Sequence, residues 1–107
     1  MIRDVDSEQL ECLIKEVDAV FVDMWASWCS PCKIMRPLFE ELAEKYSDID
    51  FVRLQIDNDT VAAEKYGIKS IPAFVSFKQG EFVTFKTGIM TMDSLENMIN
   101  DLKKEII

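Results

Sequence analysis

Val22-Asp23-Met24-Trp25-Ala26-Ser27-Trp28-Cys29-Ser30-Pro31-Cys32-Lys33 is the stretch on which the reading of this chain turns. An apolar, strand-like run ends within it and a helical pattern begins, with two cysteines three residues apart at the junction. On a helix, positions i and i+3 share a face, a separation that suits the Cα–Cα distance of a disulfide. A cysteine at a helix N-terminus also faces unpaired backbone N–H groups and the positive end of the helix dipole. Both favour thiolate over thiol. The stretch therefore carries the local chemistry of reversible dithiol–disulfide exchange.

The flanking sequence supplies the architecture. Leu10, Leu13, Ile14 and Val17 recur at helical spacing over residues 7–17, with Asp6 or Ser7 as N-cap. Residues 19–25 form a continuous apolar run broken only by Asp23, the pattern of a central strand covered on both faces. From residue 31 to 46, Ile34, Met35, Leu38, Phe39, Leu42, Ala43 and Tyr46 make a broad apolar stripe. Pro37 falls inside this second helix and is expected to kink it. A strand over 51–56 precedes Asp57-Asn58-Asp59, which can cap a short helix over 60–66 ended by Gly67. Residues 73–77 and 82–86 read as strands of a hairpin turning through Lys78-Gln79-Gly80-Glu81. A last helix starts near Thr91 and buries Leu95, Met98, Ile99 and Leu102. Helices between the first strands imply parallel crossovers, and the hairpin adds antiparallel strands. The expected fold class is α/β, a mixed sheet with helices on both faces, formed as one domain over residues 1–107.

Composition narrows the function. The 107 residues carry 12 basic and 20 acidic side chains, a formal charge of −8 that disfavours nucleic acid and anionic membrane as partners. No apolar run approaches the roughly 20 residues of a membrane helix, and the first residues have no apolar signal core. Three cysteines, one close pair plus a single thiol, point to a reducing compartment and a working pair. Cytoplasmic location is the expectation. The absence of histidine excludes Ser-His and Cys-His nucleophile arrangements. A closed zinc site or an iron–sulfur cluster wants four ligands, and the cysteine count falls short, so no metal is expected. No nucleotide-binding glycine-rich loop appears either, so no flavin or nicotinamide cofactor is expected.

The remaining pattern resembles the thioredoxin family over essentially the whole chain. That family's Trp-Cys-Gly-Pro-Cys-Lys appears as Trp28-Cys29-Ser30-Pro31-Cys32-Lys33, preceded by Val22 to Ala26, with Ile71-Pro72 some forty residues on and Gly88 past the last strand. The resemblance implies a thioredoxin fold, a sheet of about five strands flanked by four helices. It implies a protein-disulfide reductase, Cys29 the more exposed nucleophile and Cys32 the resolving thiol. Partners would be protein disulfides and a thioredoxin reductase-type electron donor. A glutaredoxin-like or isomerase-like activity and a non-catalytic subunit of the same fold are the competing readings.

Other residues take their roles from the same comparison. Asp23, desolvated among apolar neighbours, should have a raised pKa, and by resemblance it would deprotonate Cys32. A strand-end carboxylate turned to solvent is the alternative. Arg53 stands where many family members have lysine. If it reached Asp23 it would oppose that rise, and otherwise it is an exposed strand residue. An X-Pro bond is trans by default, but the resemblance makes Ile71–Pro72 cis. Trp28, Pro31, Ile71, Pro72, Gly88 and Ile89 would form a shallow apolar patch that receives partners. Trp25 should pack under the redox pair, with Ser30 and Lys33 as further structural support. Ser30 replaces the usual glycine, and its hydroxyl is placed to hydrogen-bond a thiolate. Cys12 lies opposite the apolar face of the first helix, so it should be exposed. The chain is expected to be a monomer, with a Cys12-linked dimer as the other open outcome.

Overall fold

The computed structural model describes residues 2–104, and the outermost ends of the domain expected over 1–107 lie outside that range. In chain order the elements are β1 (Ile2–Asp4), α1 (Ser7–Glu16), β2 (Ala19–Trp25), α2 (Ser30–Lys45) and β3 (Asp50–Gln55). They continue as α3 (Val61–Lys65), β4 (Ala73–Lys78), β5 (Glu81–Thr87) and α4 (Met92–Lys104). The five strands form one sheet in the order β1-β3-β2-β4-β5. β1 and β2 both run parallel to β3, whereas β4 is antiparallel to β2 and to β5. Among the described residues, no helix is long and apolar enough to cross a membrane.

β2 occupies the middle of the sheet, and the alternation of a strand divides its side chains between two cores. Val20, Val22 and Met24 join Leu10, Leu13, Ile14, Val52, Leu54 and Val75 on the side covered by α1 and α3. Ala19 and Phe21 join Phe39, Leu42, Phe51, Phe74, Leu95 and Ile99 on the side of α2 and α4. Four phenylalanines dominate that second core. The ring of Phe21 lies 6.0 Å from Phe39, 5.8 Å from Phe51 and 6.2 Å from Phe74. By the same alternation Asp23 and Trp25 face α2, the helix that carries Cys32.

The helix starts show why the elements begin where they do. Asp6, not Ser7, caps α1, accepting from the Gln9 backbone N–H at 2.7 Å while Gln9 Oε1 accepts from the Asp6 N–H at 2.9 Å. Ser7 instead ties α1 to α3. Its N–H and hydroxyl donate to Asp59 at 2.7 and 2.8 Å, and its oxygen accepts from the Ala62 N–H at 2.8 Å. Thr60 is the N-cap of α3 but makes no side-chain bond there, so Ser7 and Asp59 serve the first N–H groups of that helix.

Two expectations, on the first strand and on Ile34, need correction. β1 was absent from the strand pattern, because three residues with only Ile2 half-buried give no alternation to read. Pro37 lies inside α2, which is continuous from Ser30 to Lys45. Ile34, assigned to the buried stripe, is 56% exposed. The face of α2 that meets the sheet is narrower than its apolar content suggests.

Phe39→Ala should therefore cost about 3–5 kcal/mol by opening a cavity among the rings. Ile34→Ala, five residues earlier on the same helix, should change stability by only about 0.5 kcal/mol or less. Urea unfolding of both variants measures the contrast, and equal losses would contradict the assigned face.

Candidate active site

Cys29 is the N-cap of α2, placed there because β2 ends at Trp25 and the intervening residues turn the chain into the helix. The Cys32 N–H donates to Cys29 Sγ at 3.2 Å, so the sulfur takes the place a serine or aspartate oxygen usually fills. Pro31, in the first turn, lacks an N–H that would have gone unused. Cys29 and Cys32 are joined as a disulfide with Cα atoms 5.3 Å apart, inside the range the bond requires. In the reduced protein the same N–H group and the helix dipole would stabilise a Cys29 thiolate.

Ala26 packs with the two cysteines, and Trp25, Ile56 and Ile71 close around them. Cys29 retains 4% exposure and Cys32 2%. Cys29 is the more exposed of the two by a small margin, and both sulfurs lie in this cluster. Trp28, directly before Cys29, is 70% exposed, and Ser30 and Pro31 after it are exposed as well. Cys29 thus lies at the floor of an open rim.

The expected patch is only partly brought together. The Ile71–Pro72 peptide is cis, and Ile71 takes part in no strand ladder and no loop backbone bond among the described residues. Pro72 is buried, so it supports the patch and does not line it. Its carbonyl accepts the Gly88 N–H at 2.8 Å, and Met90 N–H reaches Met35 Sδ at 3.4 Å. Ile89, between those two anchors, is 60% exposed. Gly88 adopts a φ of +93°, which a side chain would strain, so this loop needs glycine.

Asp23 is fully buried, opposite Arg53 on β3 and Phe74 on β4. Burial pushes its carboxyl up to about 7, and the positive charge of Arg36 opposes that rise. Arg53 does reach the carboxyl, donating from Nε to Oδ2 at 3.3 Å. That single long contact, not a bidentate fork, leaves Oδ1 buried with no hydrogen-bond partner among the described residues, so desolvation prevails. Of the two placements open for Arg53, the buried one is correct.

Trp25 packs against the redox pair as expected, whereas Ser30 and Lys33 are exposed and make no side-chain hydrogen bond or ion pair among the described residues. Their support is limited to the backbone of the first helical turn. Cys12 is a free, exposed thiol on α1. Residues that the sequence did not single out also shape the site. Ile56 lies against the cysteines, and the Ser27 hydroxyl donates to Asp57 at 2.7 Å, holding the loop before α2 to the end of β3. That bond keeps the Asp57 carboxyl below its usual value. Neither carries a spacing signal. Arg36 did carry one, since it follows Cys32 by four positions on the same helix.

A redox-active cysteine pair at the N-terminus of the helix that the buried Asp23 faces defines a thiol–disulfide oxidoreductase site. The thioredoxin family profile matches residues 2–101. The thioredoxin of Mycoplasma genitalium is 34% identical over 102 residues, covering 94% of this chain and 100% of that one. That of Chlamydia caviae is 35% identical over 100 residues, covering 94% and 97%. The oxidised structure of mitochondrial thioredoxin 3 from Saccharomyces cerevisiae superposes with a TM-score of 0.88 at 31% identity, covering 94% and 95%. The chain belongs to the thioredoxin family. Its Cys29–Cys32 pair makes it a thiol–disulfide oxidoreductase.

The raised pKa of Asp23 gives the fold a pH dependence of definite sign. The unfolded carboxyl ionises near 4, while the folded one holds its proton to about 7. Between those values the native state binds more protons, so this group's penalty grows as pH rises and levels off above 7. From pH 5 to pH 8, Asp23→Asn should gain on the wild type by roughly 2–3 kcal/mol. Denaturant melts of the oxidised proteins at the two pH values measure this, and a constant difference would remove the buried, proton-holding carboxyl.

Proposed function

We propose that this protein is a reductant of protein disulfides, carried by one observation: the sulfur of Cys29 caps α2 within bonding distance of Cys32. In the dithiol form, the Cys29 thiolate attacks one sulfur of a substrate disulfide. A mixed disulfide forms and one substrate thiolate leaves. Asp23 takes the proton of Cys32, and the resulting thiolate attacks Cys29 Sγ. The intramolecular disulfide closes and the second substrate thiolate leaves. Two electrons pass to the substrate, and a separate thioredoxin reductase-type donor returns them to the Cys29–Cys32 disulfide.

Substrate chain is received where Trp28 and Ile89 stand exposed, with Pro31 and Gly88 beside them. Ile71 offers main-chain groups outside every ladder for pairing with an extended segment. The net charge of −8 favours proteins over nucleic acids or anionic membranes as partners. The protein acts as a monomer in a reducing compartment, the cytoplasm, as the free exposed thiol of Cys12 suits. No cofactor beyond the cysteine pair enters the cycle.

Insulin reduction with a dithiol donor tests the assignment. Cys29→Ser should abolish turnover, Cys32→Ser should accumulate mixed disulfides, and Asp23→Asn should slow turnover at neutral pH by about 10-fold or more. Retained turnover in Cys29→Ser would refute the nucleophile, and unchanged turnover in Asp23→Asn would refute the proton relay. Iodoacetamide should alkylate reduced wild-type protein at Cys29 before Cys32.

A further inference from the structure

Arg36 is an exposed arginine on α2 with no carboxylate at ion-pair distance among the described residues. It is not free of contacts, however. Its guanidinium carbon lies 5.6 Å from the centroid of the Trp25 ring, and that of Arg53 lies over the same ring at 4.4 Å. Both distances fall within cation–π range. Arg53 in turn holds Asp23 Oδ2. One indole therefore connects a solvent-side cation on the active-site helix with a buried cation on the carboxyl. We infer that Arg36 is a positioning residue, its guanidinium sharing the Trp25 ring with Arg53 and so fixing the charge environment of the Asp23 carboxyl.

The surroundings support the assignment. Trp25, Arg36 and Arg53 line one open cavity of about 500 Å³, together with Asp4 from β1, Asp6 before α1 and Asp59 before α3. Those three carboxylates act against the two arginines. From β4 the uncharged Phe74 stands opposite Asp23, and from α2 the cysteine pair, uncharged as a disulfide, packs against Trp25. Arg36 is thus the cation that the active-site helix itself contributes. Its charge favours the ionised carboxyl, in the direction already described, and works against burial. The Trp25 Nε1 group is buried with no hydrogen-bond partner among the described residues, so the indole's orientation rests on packing and on these two cations.

The inference rests on Asp23 as the proton acceptor, and the test separates the two claims. The Asp23 carboxyl is titrated by carbon-13 NMR in oxidised wild type, Arg36→Gln and Arg36→Lys, and insulin turnover is followed against pH in the same proteins. Arg36→Gln should raise the carboxyl midpoint by about half a pH unit, the screened effect of one cation beyond the contact pair. Arg36→Lys, which keeps the charge, should stay close to wild type. The turnover profile should move with the titration, and Asp23→Asn should abolish that movement. An unmoved midpoint in Arg36→Gln would overturn the inference, as would a shift in Arg36→Lys as large as in Arg36→Gln. If Asp23→Asn keeps wild-type turnover while the midpoint still moves, Arg36 retains its hold on Asp23 and the proton relay alone fails.

Discussion

A strand hydrogen-bonded on both edges and covered on both faces has no solvent to offer a side chain, and β2 is such a strand. Six of its seven residues are buried, and the one carboxylate among them points at the active-site helix. The remaining features of the site follow from that enclosure. The carboxyl is driven toward its neutral form, one arginine is drawn into the interior to meet it, and an indole lies against that arginine. The same strand delivers the chain to the point where α2 begins. Position and chemistry of the cysteine pair are therefore set by one element.

Burying a carboxyl next to a single long arginine contact does not favour folding. A cheaper core would place a leucine there. In the proposed cycle the cysteine pair would need a base that changes charge near neutral pH, a task for which an exposed aspartate would ionise far too early. On that proposal, stability would be given up at the place where proton transfer is wanted.

Much of this was legible in the residues. The continuous apolar run of 19–25 marked a strand covered twice, and Asp23 was conspicuous within it. The switch from that run to a helical period placed Cys29 at a helix start, where the structure has it. The terminal hairpin and the apolar positions of α4 were equally plain. β1 escaped because an edge strand of three residues with two exposed side chains has no period. The exposure of Ile34 escaped because apolar content records what a helix can bury and leaves open how wide a surface it meets. Arg53 was undecidable from spacing, since a strand position opposite a buried acid and one facing water look alike in sequence. The tie from Ser7 to Asp59 and Ala62 joins residues more than fifty positions apart, and only the packing of α1 beside α3 reveals it.

The hydrogen bond from Gly88 to the carbonyl of Pro72 joins two loops separated by fifteen intervening residues, and the Met90 contact with Met35 fastens the second loop to α2. The surfaces presented by Ile71 and Ile89 are thereby set before any partner arrives. A partner docking there as proposed would spend little free energy on ordering the receiving surface, so a modest apolar footprint would suffice for capture and product could still depart. Preorganisation of this kind would suit a carrier that meets different chains and keeps none of them.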